Sequence, residues 1–238
     1  MSTLQHIFED LSHGEFSQLQ LGSFDPDQYE SEPDPRQYAQ INSYLNSALR
    51  AIYSKFWLRS DEAIIQLSEE TEIYRLDYRH ALSNTASNAA KYIMDTVADP
   101  FLDNVLNIEQ IYNEGGELVC LNDDSAEVSY YTPSYNTVQV PWPNDDNSIA
   151  VVYRATHPRI NFSIGDRPED IYIDIPPQLH DALLFYVASR FHSGNGASEG
   201  KDTLYFQRFT EQCTQVRESG LFIQPTVQDW RFERYGWV

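Results

Sequence analysis

Hydrophobic spacing gives this chain two helical ends and a strand-rich middle. Residues 3–11 place Leu4, Ile7, Phe8 and Leu11 on one helical side, and Ser12-His13-Gly14 stops the helix. From Asp34, a suitable N-cap followed by Pro35, apolar residues recur at helical spacing: Tyr38, Ile41, Leu45, Ala48, Ile52 and Phe56. A third helix is predicted over 85–99, with Ala89, Ala90, Ile93 and Val97 inward and Pro100 just beyond its end. Pro176 and Pro177 then introduce a strongly apolar helix over 179–191. Leu179, Leu183, Tyr186 and Val187 form one face, and Leu184, Phe185, Ala188 and Phe191 fill most of the rest, so it needs cover on more than one side. Leu204, Tyr205, Phe209, Cys213 and Val216 supply a partner stripe, so 174–218 reads as an antiparallel helical hairpin.

Elsewhere the period is two. Ala63, Ile65 and Leu67, followed by 72–76, predict two short strands joined as a hairpin through 68–71. Further runs lie at 105–112, 117–121, 137–140, 149–155 and 171–173, with Glu114-Gly115-Gly116 as a hairpin turn. The fold class expected is α+β: an antiparallel helical bundle (long N-terminal helix plus C-terminal helical hairpin) with an inserted β-rich subdomain and an extended C-terminal tail. The corresponding boundaries are a short helix and acidic arm at 1–33, a bundle domain at 34–101 and 174–218, the β subdomain at 102–173, and the tail at 219–238. Residues 21–35 are acidic and carry Pro26, Pro33 and Pro35, as a linker or extended arm would. The tail holds Leu221, Phe222, Ile223, Val227, Trp230, Phe232, Tyr235 and Trp237, too apolar for disorder, and needs a groove on its own domain or on another chain.

Charge narrows the function. With 16 Lys+Arg against 36 Asp+Glu the 238-residue chain carries a formal charge of −20, which repels phosphate backbones and disfavours DNA binding by the monomer surface. A surface that DNA slides past remains open. Cys120 and Cys213 stand alone, so neither a disulfide framework nor a paired-cysteine zinc site is predicted, and a reducing cytosol fits. No signal peptide or membrane span is visible. The loop 193–202 carries Gly200-Lys201 but fails as a phosphate loop: Asn195 replaces the first glycine, Asp202 replaces the magnesium-binding hydroxyl, and a helix precedes it. The six histidines lack zinc-ligand spacing, and His180 and His192 are expected to cap or line the hairpin. The pairs Asp123-Asp124 and Asp145-Asp146 lie in turns. No catalytic residue, cofactor or metal is expected.

Three stretches carry a resemblance: 4–16 (Leu-Gln-His-Ile-Phe-Glu-Asp-Leu-Ser-His-Gly-Glu-Phe), 41–67 (Ile-Asn-Ser-Tyr-Leu-Asn-Ser-Ala-Leu-Arg-Ala-Ile-Tyr-Ser-Lys-Phe, then Leu-Arg and Ile-Ile-Gln-Leu), and 175–216, which opens Ile-Pro-Pro-Gln-Leu-His-Asp-Ala-Leu-Leu-Phe-Tyr-Val-Ala-Ser-Arg. In these the chain resembles the head-to-tail adaptor (connector or gatekeeper) proteins of tailed bacteriophages. The resemblance implies a structural virion protein made in the bacterial host cytoplasm and placed in the head-tail neck. It further implies a homo-oligomeric ring, a dodecamer, beneath the portal protein, with a tail nozzle or next neck protein on its other side. Double-stranded DNA would pass through without adhering during ejection, which the acidic charge suits. Trp230, Phe232, Tyr235 and Trp237 would grip the portal, and Leu184, Phe185 and Phe191 would lie at subunit interfaces. The alternative is a glycan-binding, tail-associated module stacking sugars on Trp142, Tyr130, Tyr131 and Tyr135; a hydrolase built on scattered carboxylates is the weaker rival.

Overall fold

The computed structural model describes residues 2–14, 16, 35–162, 166–194 and 201–220; the acidic arm before Pro35, most of the glycine-rich loop and the apolar tail lie outside the described residues. In chain order the elements are β1 (Ser2–Thr3), α1 (Leu4–His13), α2 (Pro35–Lys55), β2 (Ser60–Gln66), β3 (Ile73–Arg75), β4 (Val105–Tyr112), β5 (Cys120–Leu121), β6 (Ser129–Ser134), β7 (Thr137–Gln139), β8 (Ser148–Ala155), β9 (Tyr172–Ile173), α3 (His180–Gly194) and α4 (Lys201–Glu218). They belong to two compact units, residues 1–48 with 160–238, and residues 49–159.

In the first unit, α1 forms where its apolar stripe predicts. The Thr3 hydroxyl accepts from the His6 N–H at 3.3 Å, Leu4, Ile7, Phe8 and Leu11 are buried, and the Gly14 N–H closes on the Asp10 carbonyl at 2.8 Å. β1 and β9 pair antiparallel, with Ser2 opposite Ile173. Asn46 on α2 acts as a backbone substitute: its amide donates to the Ile160 carbonyl at 2.9 Å and accepts from the Ile160 N–H at 2.8 Å. α3 follows Pro176 and Pro177 and buries Leu183, Val187 and Phe191. α4 packs along it, burying Phe209, Cys213 and Val216, with the Phe209 ring meeting Tyr186 edge-on at 5.1 Å.

The second unit is built around β8. This strand is central in an antiparallel β2-β8-β4 sheet, and its alternation sends Ile149, Val151, Tyr153 and Ala155 inward. Ala63 and Ile65 of β2 and Ile108 and Ile111 of β4 join them. A second sheet, ordered β3-β7-β6-β5, contributes Tyr74 and Val138 to the same core.

The expected helical bundle with an inserted β subdomain is therefore corrected. Four helices stand beside three sheets built from nine strands among the described residues, and the architecture is β-rich. The third predicted helix, 85–99, is absent. Its Ser- and Asn-rich start resists helix formation, and Ile93 bridges to Ile65 while the Gln66 N–H donates to the Tyr92 carbonyl at 2.9 Å, covering the edge of β2. Val97, predicted to point inward, is exposed. β2 and β3 do not pair as a hairpin either. Ser68 and Thr71 form the turn, but β2 goes to β8 and β3 to β7, because alternation fixes which side chains are buried and leaves the partner strand open.

Candidate interaction surfaces

Charged groups with shifted pKa values serve the fold. Hydrogen bonds from Arg79 hold Asp77 down at about 2. Burial opposes ionisation of Asp95, yet donors from the Ser83 hydroxyl, the Ser83 N–H and the Phe101 N–H outweigh it and lower its pKa. Burial, helped by the charge of Asp61, pushes the Tyr153 phenol up, and its hydroxyl donates to Asn104 at 3.2 Å. Among the described residues no three His, Cys, Asp or Glu side chains gather to hold a metal ion. The two predicted helix-lining histidines take ordinary structural places: His180 meets Asp10 at 2.8 Å, and His192 stacks on Tyr205 with centroids 5.4 Å apart.

Of the three residues predicted at a subunit interface, two are covered within the folded chain. Leu184 is 7% exposed and Phe191 is 3% exposed, the latter with its ring 4.6 Å from Phe16. Phe185 is half-buried, stacks on Tyr205 at 6.4 Å, and lies beneath the Arg208 guanidinium at 5.9 Å. On α4, Leu204 and Phe206 are exposed, the latter by 50%. Sequence reasoning placed Leu204 in the buried stripe and passed over Phe206. A signal existed, since Phe206, Phe209, Cys213 and Val216 repeat at three, four and three residues, but the pattern does not reveal that Tyr205, stacked on Phe185 and His192, takes the covered position at the start of α4 and leaves Phe206 on its flank. Trp230, Phe232, Tyr235 and Trp237 lie outside the described residues.

The aromatic residues of the alternative sugar-stacking set do not form one platform. Tyr130 packs against the core of the second unit, and Tyr131 is half-buried and engages Asp124. Tyr135 sits in the turn between β6 and β7, whereas Trp142 follows the other end of β7. Trp142 is 82% exposed.

No described helix is long and apolar enough to cross a membrane. No curated protein matches the chain. A family model described as SU10 adaptor protein matches residues 21–227, spanning both compact units and most of the sequence. That extent identifies the chain as a member of the SU10 adaptor protein family, a phage head-to-tail adaptor family.

Proposed function

We propose that this adaptor assembles as a dodecameric ring in the virion neck, binds the portal protein on one side and a tail nozzle or next neck protein on the other, and encloses part of the DNA channel. The observation carrying this reading is the family match over residues 21–227. The charge supports it as well: each copy adds a formal −20, so a ring wall would repel DNA phosphates and let the duplex pass. Within the ring, the exposed Phe206 ring on α4 is where a neighbouring subunit would rest, with Leu204 exposed on the opposite flank of the same helix and Phe185 half-buried on α3. Leu184 and Phe191 hold the helices from within. The segment 221–238 carries Trp230, Phe232, Tyr235 and Trp237, and buried aromatic anchors contribute disproportionately at interfaces, so this segment is assigned to the portal.

Sedimentation of the full chain with and without purified portal, followed by electron microscopy of the mixture, tests the reading. The expected result is a ring formed on the portal and lost when the chain is cut after Gly220, with helix content unchanged. A monomer that ignores the portal would overturn the adaptor ring, and a truncated chain that still attaches would overturn the assignment of the tail.

A further inference from the structure

Tryptophan is rarely left in water without a use, and Trp142 is 82% exposed on a loop that the fold holds firmly. Pro141 and Pro143 flank it and fix their own backbone angles. The loop behind it is tied to the turn after β2. The Glu69 N–H donates to the Asp145 carboxylate at 2.6 Å, the Leu67 N–H donates to the Asn147 carbonyl at 3.0 Å, and the Gln66 amide donates to the carbonyls of Asp145 and Asn147 at 2.7 and 3.0 Å. The turn itself is clamped by Tyr74, whose hydroxyl accepts from the Ser68 N–H at 2.7 Å and donates to the Ser68 carbonyl at 3.1 Å. A side chain presented on so fixed a support loses little conformational entropy on binding.

The same two segments gather charge of one sign. Glu69, Glu70, Glu72, Asp145 and Asp146 are all exposed, and neither 66–74 nor 141–148 contains Lys or Arg. Ile73, exposed on β3 beside Glu72, adds apolar area. We propose that Trp142 and its acidic surround dock on a protein partner that presents an apolar pocket rimmed by Lys and Arg. Hydrophobic insertion would supply the affinity, and the carboxylates would steer and select the partner. A sugar ligand is disfavoured because Tyr135, at the far end of β7, gives Trp142 no second stacking face, and because its own loop and the segment tied to it carry five exposed carboxylates. The inference needs neither the ring nor the portal contact of the preceding proposal.

The test replaces Trp142 with the photo-cross-linking residue benzoylphenylalanine in the full chain, with irradiation in phage-infected cells and mapping of the joined peptides by mass spectrometry. A cross-link to a protein site where apolar residues are flanked by Lys or Arg supports the proposal. No cross-link, or cross-links only to carbohydrate, lipid, nucleic acid or another copy of this chain, overturns it. With the mapped partner purified, Trp142→Ala is expected to weaken binding by on the order of 30-fold and Trp142→Phe to retain most of it. The combined Glu69→Gln, Glu70→Gln, Glu72→Gln and Asp146→Asn variant should flatten the salt dependence of association. An unaltered affinity in Trp142→Ala, with unaltered thermal melting, would equally overturn the assignment.

Discussion

The Tyr92 hydroxyl serves both backbone groups of Arg75, accepting from its N–H at 2.9 Å and donating to its carbonyl at 3.0 Å. β3 stands at the end of its sheet, so this phenol occupies the place that another strand would take and keeps a bare edge from templating association. The ring is fixed as well, stacked on His80 at 4.5 Å and edge-on to Tyr74 at 5.2 Å. Tyr92→Phe keeps those ring contacts and removes only the hydrogen bonds. The expected loss is about 1–3 kcal/mol, read as a lower urea midpoint with an unchanged slope. An unchanged midpoint would mean that water replaces the phenol at no cost.

Acid should loosen the second unit through carboxylates whose folded pKa values are depressed. Arg79 holds Asp77 at about 2, and Ser83 with Phe101 keeps Asp95 low against the opposing effect of burial. A depressed carboxylate adds stability above its unfolded value, near pH 3.9, and that contribution disappears as pH falls through the folded value. Asp103 has the opposite sign, because burial and the charge of Asp77 raise it, and it offsets part of the effect. Stability measured by urea unfolding should therefore decline from about pH 5 towards pH 2. Asp77→Asn and Asp95→Asn should each make the decline shallower; an identical slope in both variants would remove these groups as its source.

Parts of this architecture are plain in the sequence because one local period decides them. The alternation of Ile149, Val151, Tyr153 and Ala155 predicts β8, and Leu4, Ile7, Phe8 and Leu11 predict α1. Pairing is a long-range property, so nothing local joins Ala63 to Val151 or Tyr74 to Val138. Residues 85–99 mislead for a related reason. Ala89, Ala90, Ile93 and Val97 share a helical face on paper, whereas Ile93 alone is buried beside the edge of β2 and Val97 faces water. The helix surface is legible only in kind: an all-apolar α3 announces extra cover, but which positions of α4 stay open depends on how α4 is turned about its own axis, with Tyr205 against α3 and Leu204 and Phe206 on the flanks.

Phe206 and Phe209, one turn apart on α4 with centroids 5.8 Å apart, separate folding from assembly. Phe209 is 1% exposed and wedges against Tyr186, so Phe209→Ala removes core volume and should cost about 3–5 kcal/mol of monomer stability. Phe206 leaves half its surface in water and touches Tyr186 only at 6.5 Å, so Phe206→Ala should change monomer stability by no more than about 1 kcal/mol. If this side of α4 meets a neighbouring subunit, the same substitution removes an aromatic anchor and should weaken ring formation by about 2 kcal/mol or more. Thermal melting of the monomer and sedimentation on the portal read the two quantities independently. A Phe206→Ala chain that melts normally and still forms rings at the wild-type concentration would exclude this side of α4 from the interface, whereas normal melting with failed assembly would place it there.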